Sequence, residues 1–244
     1  EFSDFRVRSD LSGKTTILKL DHVRPDRERR LSVGGQFEHS FEDGRQESTT
    51  DSASGDAVAV ETTLAGSWSQ EAAYLTYQFP LWGTTVMAGT RVESRQYDID
   101  AVNEDPSGGT YLFPSLHVER KVENWLTANL SYSSRISWPN IADLDPRVRF
   151  NNPTTARAGN PLLEPEKTHS FEAKLMAKAG NHSADVTAYY QKTRDLRSVL
   201  AELQGDVLVT RPVNLGTMTS RGANLQLRGP LARGLKYVVT ANLA

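Results

Sequence analysis

Ser12, Gly13, Lys14 and Thr15 end like a phosphate-binding loop, in which backbone N–H groups of a glycine-rich turn cradle phosphate and the lysine reaches its outer oxygens. That pattern needs a glycine where Arg8 stands, and no helical period follows. Gly13 is therefore expected to serve a turn between two strands. The histidines, His22, His39, His117, His169 and His182, are scattered, with none at the spacing that brings two imidazoles onto one metal, and the chain has no cysteine. No metal site and no cofactor are expected. Acidic residues crowd two stretches, Glu42, Asp43, Glu47, Asp51 and Asp56 in one and Asp98, Asp100, Glu104 and Asp105 in the other. Oxygen clusters of this kind suit calcium, but nothing here has the ligand spacing of a calcium loop, so solvated loops are the expectation. Serine has no Gly-x-Ser-x-Gly elbow, and carboxylates are too common to single out an acid/base pair. No catalytic residue is assigned, and the chain reads as a non-enzyme.

Composition bounds the remaining classes. Of 244 residues, 38% are hydrophobic and 24% charged, too apolar for disorder yet leaner than an average globular domain, which implies a folded chain with a thin apolar layer. Lys and Arg total 28 against 30 acidic residues, so no basic field points to nucleic acid as a partner. No apolar run approaches the roughly 18 residues of a membrane helix, but a β-barrel crosses lipid with alternating strands of weak hydropathy.

Alternation is what the chain shows. Leu126, Ala128, Leu130 and Tyr132 carry one face of a strand, while Trp125, Thr127, Asn129, Ser131, Ser133 and Arg135 carry the other; a slip of one residue would invert the two faces. The same dyad runs through Leu31 to Phe37, Ala73 to Phe79, Val86 to Val92, Leu112 to Val118, Phe171 to Ala177, Ala184 to Tyr190 and Leu235 to Leu243. This reads as an all-β chain of about 11 strands, many of them longer than the usual five or six residues. Pro114 falls inside one run and argues against a regular ladder there. On the wet faces stand Arg91, Glu93, Arg95, Glu172, Lys174, Lys178 and Arg228, which in a barrel would line the lumen.

The connections alternate too. Short links are expected at Arg24 to Arg29, Pro80 to Gly83, Arg120 to Asn124, Ala179 to His182 and Gly229 to Gly234. Long polar links are expected at Glu42 to Ser67, Asp98 to Gly109, Trp138 to Lys167 and, more loosely, Asp195 to Asp206. Antiparallel neighbours put successive connections at opposite ends, so all short turns fall on one side and all long loops on the other, the asymmetry of an antiparallel up-and-down transmembrane β-barrel. Trp82 and Trp125 beside short turns, and Trp68, Tyr97 and Trp138 near long loops, are candidates for its two interfacial aromatic girdles. A soluble β-sandwich acting as a binding or adhesion module is the alternative that the same alternation allows.

The segment Leu130 to Asn140, which contains Tyr132, Ser133, Arg135 and Ile136, and the segment Gly159 to Glu172, which opens Gly159-Asn160-Pro161 and continues through Leu163, Pro165 and Glu166, resemble the barrel of TonB-dependent receptors. More narrowly, they resemble the outer-membrane β-barrel protein family. In that family the first motif climbs to an external loop and the second leads the chain back down. Leu18 to Pro25, Gly89 to Glu93, Tyr111 to Leu116, and Asn214 to Gly216 before Ser220 to Gly222 follow in the family's order. The resemblance spans nearly the whole chain. It implies the cell outer membrane of the Gram-negative type, with outer-membrane lipid as surroundings, and energy-coupled uptake of a bulky nutrient such as an iron chelate or a saccharide. It also implies a plug domain through which the TonB complex acts. No plug, no TonB-contact segment and no final aromatic strand is recognised between Glu1 and Ala244, so residues 1–244 are expected to be one partial stretch of barrel wall. The ligand-contacting residues are unknown from sequence; the Trp138 to Lys167 loop is the expected place, because long loops on a rigid scaffold carry recognition.

Overall fold

A computed structural model describes residues 2–52, 57–102, 108–232 and 234–244. Ten strands form one antiparallel meander in the order β1 (Phe2–Asp26), β2 (Arg29–Ser52), β3 (Ala57–Leu81), β4 (Thr84–Ile99), β5 (Gly109–Glu123), β6 (Leu126–Ser137), β9 (Glu166–Ala179), β10 (His182–Arg194), β13 (Thr217–Ala232) and β14 (Leu235–Leu243). Between β6 and β9 lie a single helical turn, α1 (Ile141–Leu144), and two short strands, β7 (Arg149–Asn152) and β8 (Thr155–Arg157). Between β10 and β13 lies a hairpin, β11 (Arg197–Gln204) and β12 (Val207–Asn214). These four short strands make a second sheet in the order β11-β12-β8-β7. The main sheet is a single layer, not two packed sheets, so the sandwich alternative gives way to the barrel wall.

All the expected short links are found. Arg27 and Glu28, Trp82 and Gly83, Asn124 and Trp125, and Gly180 and Asn181 are two-residue turns, and Gly234 lies in the fifth. Trp82 (φ 49°) and Gly83 (φ 71°) both take the left-handed conformation, the geometry whose twist matches the flanking strands of a tight hairpin. Register then sorts every side chain. Asn129 pairs with Lys174 and with Glu119, and Leu130 pairs with Ala173 and with Val118, so the polar and apolar dyads continue from strand to strand without exchange. The polar face carries all seven of the wet-face residues named above, each of them in register with another polar-face position.

The opposite face has no protein to cover it. Leu75, Leu116, Leu130, Phe171, Leu175, Val186 and Val239 all stand exposed on it, which in water would be a patch far larger than soluble proteins tolerate. Along β9 the apolar dyad runs from Phe171 to Ala177, about 20 Å at the rise of a strand, close to the apolar band height of outer-membrane barrels. Three rings close the band at the long-loop end: Tyr132 and Phe171 lie 4.8 Å apart and Phe171 and Tyr190 6.4 Å apart, with the Tyr132 hydroxyl 2.9 Å from His169 Nδ1. At the other end Trp82 and Trp125 are exposed at their turns. The expectation that Trp68, Tyr97 and Trp138 form the upper girdle is corrected: Trp68 and Tyr97 pair with each other on the polar face, and Tyr97 is only 6% exposed.

Two of the expected long loops are strand instead. Residues of the Glu42 to Ser67 stretch continue β2 and β3, paired from Arg30↔Gln78 up to Asp51↔Ala57. One face of that ribbon carries Asp43, Arg45 and Glu47, and the other, with Gln46, Thr62 and buried Leu64, meets the folded Trp138 to Lys167 loop, so no apolar period marks it. The acidic residues of the first stretch therefore lie along β2, Asp43, Glu47 and Asp51 at positions of one face and Glu42 at a position of the other, and do not gather in a loop; Asp56, Glu104 and Asp105 lie outside the described residues. The Asp195 to Asp206 link holds β11, folded against β12 around Gly205 and Asp206. Gly13 is not at a turn: it lies within β1, paired with Glu42. Pro114 falls where the ladder between β5 and β6 ends, the last pair being Ser115↔Ser133, since a residue without an N–H cannot carry it further.

Arginine placed singly at Leu130, Leu175 or Val239 is expected to cost about 2–4 kcal/mol of folding stability in lipid vesicles, measured by denaturant unfolding. Asn129→Arg, one residue away on the polar face, is expected to be nearly neutral; equal costs on both faces would refute a lipid-facing stripe.

Candidate functional site

The polar face is most organised at the long-loop end. Arg91, Glu93, Arg95, Tyr97 and Ile99 rise along β4. Arg91 Nε donates to Glu93 Oε1 at 2.5 Å and its Nη2 reaches Gln36 Oε1 at 3.4 Å, and Gln36 Nε2 donates to Glu38 at 3.2 Å. Arg95 donates twice to Gln70 Oε1, at 2.9 and 2.6 Å, and lays its guanidinium 3.8 Å from the Trp68 ring centroid and 5.3 Å from that of Trp138. A guanidinium between indoles keeps its charge while its planar faces are shielded from water, a contact worth about 0.5–2 kcal/mol. Trp138 donates Nε1–H to Glu93 Oε2 at 3.4 Å and meets Tyr111 edge-on at 5.4 Å. Lower on the same face, Gln78, His117, Glu119, Asn129, Glu172 and Lys174 border a polar recess of about 720 Å³.

Above this wall sits the folded Trp138 to Lys167 loop. It is not a free tether. Asn140 caps α1 by accepting the Asp143 N–H at 2.7 Å, and Ile141, Leu144 and Leu163 are fully buried against Leu64, Tyr97 and Ile99 of the wall. The Tyr97 hydroxyl donates to the Pro139 carbonyl at 2.6 Å. Buried Asp143 receives Arg157 at 2.5 Å and Arg197 at 3.4 Å, while Asp145, 1% exposed, is held by Arg147 at 2.7 Å. Buried carboxylates persist only when cations and donors surround them in this way. Arg149 donates to the Ala142 carbonyl at 2.8 Å, and burial pushes its guanidinium below the ordinary arginine range. At Gly159 the backbone passes so close that a Cβ would lie 2.5 Å from the Asp145 carbonyl oxygen and 2.7 Å from that of Asp143; here N–H groups of Gly159 and Asn160 donate to those same two carbonyls, each at 2.7 Å.

The loop is tied to its neighbours on both sides. β8 pairs in parallel with β12, Leu208 opposite Thr155, around a buried core of Ala156, Ala158 and Val209. Asn160 Nδ2 donates to the Pro212 carbonyl at 3.1 Å. Toward the tall ribbon, Gln46 donates to the Phe150 carbonyl at 2.9 Å and Thr62 to that of Val148 at 3.3 Å. The sequence brought out Arg91, Glu93 and Arg95 and the loop itself. It missed Gln36, Gln70 and Trp68 as their partners, although each occupies the off-phase position of an apolar dyad. It also missed the β11–β12 hairpin, which Gly205-Asp206 between two valine-bearing runs could have disclosed.

The five histidines stay apart: His117 is on the polar face, the other four on the apolar side of their strands. Among the described residues no group of His, Asp and Glu is placed to hold a metal ion.

A single-layer wall with a lipid-facing stripe, a charged inner face and a folded cap at one end defines a stretch of membrane β-barrel. The chain belongs to the outer membrane protein beta-barrel family, which it matches over residues 2–244, the family its motifs resemble. Similar solved structures are the copper transporter OprC (TM-score 0.73, 13% identity, 97% of this chain and 38% of that one), the ferric yersiniabactin uptake receptor FyuA from Yersinia pestis (0.68, 14%, 98% and 36%), and the RagAB peptide transporter (0.66, 17%, 98% and 30%). At such identities the likeness is one of fold. The chain spans only 30% to 38% of the length of these structures. No curated protein matches it.

Gly159→Ala is expected to loosen the cap by about 1–3 kcal/mol, the cost of forcing a methyl against fixed backbone. Limited proteolysis of the membrane-embedded protein should then cut between Trp138 and Lys167 at lower protease concentration; an unchanged cleavage pattern would show that this close approach does not hold the loop.

Proposed function

We propose that residues 1–244 form one stretch of the barrel wall of a TonB-dependent receptor in the outer membrane of a Gram-negative cell, working in energy-coupled uptake of a bulky nutrient such as an iron chelate or a saccharide. The TonB complex would act through a plug domain outside these residues, lodged against the charged inner face. The observation that carries this reading is the cap. A folded, cross-braced loop packs onto the polar face beside Arg95, Trp68 and Trp138, which sets cationic and aromatic groups at the external end of the wall, where a ligand arriving from outside is met first. Copper, a ferric chelate and peptides are the cargo named for the three similar structures, so the fold alone selects none of them. Aromatic faces and a guanidinium favour a planar, anionic or polyhydroxylated cargo over a bare ion.

The native protein recovered from an outer-membrane fraction should have an intact mass several-fold above 27.0 kDa and carry an N-terminal plug. A 27.0 kDa chain found in the soluble fraction would overturn the proposal. In that native receptor, Arg95→Gln with Trp68→Ala should weaken retention of the cargo, screened among ferric chelates and oligosaccharides, by about tenfold or more, with barrel assembly judged by heat-modifiable electrophoretic mobility unaffected. Undiminished retention would remove the inner wall from recognition.

A further inference from the structure

On the lipid side, β5, β6, β9 and β10 enclose an apolar furrow of about 550 Å³. Ala173 and Ala188 leave it open where longer side chains would close it, and Leu116, Leu130, Phe171 and Tyr190 stand beside it. A furrow of this kind fits an extended acyl chain, whose methylenes gain contact along its length. What lies directly above it is not apolar. Lys192 and Arg194 continue the lipid-facing dyad of β10 beyond Tyr190, and Arg221 of β13 pairs with Tyr190 itself. Lys192 stands opposite His169, and Arg194 opposite Lys167. Lys167 is already neutralised by Asp195 at 3.4 Å and Glu164 at 3.5 Å. Lys192, Arg194 and Arg221 have no ion pair among the described residues.

Positive charge is concentrated in this sector, with Lys14 of β1, opposite Phe41, a further lipid-side cation at the far side of the wall. At the same end of the wall, the lipid-side positions of β2, β3 and β4 include Asp43, Glu47, Glu61, Glu71 and Asp98, and Arg45 there is consumed by Glu61 at 2.8 Å. Aromatic rings mark the headgroup level of a membrane, so Arg221 level with Tyr190, Lys192 one step above it and Arg194 two steps above it lie where lipid phosphates lie.

We propose that this sector binds one anionic, phosphorylated lipid of the external leaflet, its phosphate on Lys192, Arg194 and Arg221 and an acyl chain in the furrow over Ala173 and Ala188. The proposal rests on the apolar face meeting lipid. Its partner is a membrane lipid and not a free anion, because the cations and the furrow are contiguous and only a molecule with both a phosphate and a tail engages both.

The test uses the native protein reconstituted in phosphatidylcholine nanodiscs doped with diphosphoryl lipid A, with the lipid retained after gentle detergent extraction counted by native mass spectrometry. The combined variant Lys192→Gln, Arg194→Gln and Arg221→Gln should bind that lipid on the order of 100-fold more weakly. Ala188→Phe, which fills the furrow and keeps the charges, should also lower retention, whereas Lys174→Gln with Lys178→Gln on the inner face should leave it unchanged. Wild-type retention by the triple variant would overturn the proposal. So would equal loss in the inner-face variant, or displacement of the lipid by inorganic phosphate alone. Should Leu130→Arg prove as harmless as Asn129→Arg, the lipid-facing assignment itself fails; should that contrast hold while the triple variant keeps its lipid, only the present inference falls.

Discussion

Backbone N–H and C=O groups have no water to turn to inside a bilayer, and each one left unpaired costs several kcal/mol. The whole of this structure follows from that constraint. It requires an uninterrupted ladder from strand to strand, which the register from β1 to β14 supplies, and it favours the shortest connections on one side, where two-residue turns suffice. A continuous ladder in turn fixes which residues share a face, because pleating sends neighbours to opposite sides. Lipid then selects Leu, Val, Phe and Ala for one set, and the other is free to hold Arg91, Glu93, Arg95, Glu172 and Lys174. Prolines fit the same rule: Pro114 sits where pairing with β6 has already ended, and Pro80 and Pro230 stand at the turn ends of β3 and β13.

A wall one layer thick has no interior of its own. Burial is found instead where the long connections fold onto it, and the fully covered residues Ile99, Ile141, Leu144 and Leu163 all belong to that junction. This inverts the usual relation between scaffold and loop. The strands are stabilised by their ladder and by lipid, while the connection between β6 and β9 carries a hydrophobic core, a capped helical turn and paired buried carboxylates, features ordinarily met in the body of a domain. Such a connection can hold charged and aromatic groups at fixed distances from the wall, as Trp138 is held between Glu93 and Arg95.

How much of this the sequence discloses depends on whether the two faces of a segment meet different surroundings. From Leu126 to Tyr132 or from Ala184 to Tyr190 one face meets lipid and the other water, so the dyad is plain and the strand is read correctly. Residues 42–48 carry polar and charged side chains on both faces, so their composition does not alternate, and a strand is taken for a loop. The tight turns are legible because Gly83, Gly180 and Gly234 are needed for local backbone reasons alone. Trp68 and Tyr97 are misplaced because proximity to a loop was taken as proximity to the interface, whereas their parity along β3 and β4 already assigns them to the inner side. The cap was out of reach for a different reason: the contact of β8 with β12 joins segments far apart in the chain, and neither carries a local signal of its partner.

That parallel contact also orders assembly in time. Hairpins closed by two-residue turns need only neighbouring residues and can form as each pair of strands emerges. Thr155 cannot meet Leu208 until β9, β10 and β11 are in place, and closing so long a loop is entropically slow. The cap thus closes later than the tight hairpins of β1 to β6, and its completion waits on a stretch of chain that those hairpins do not need.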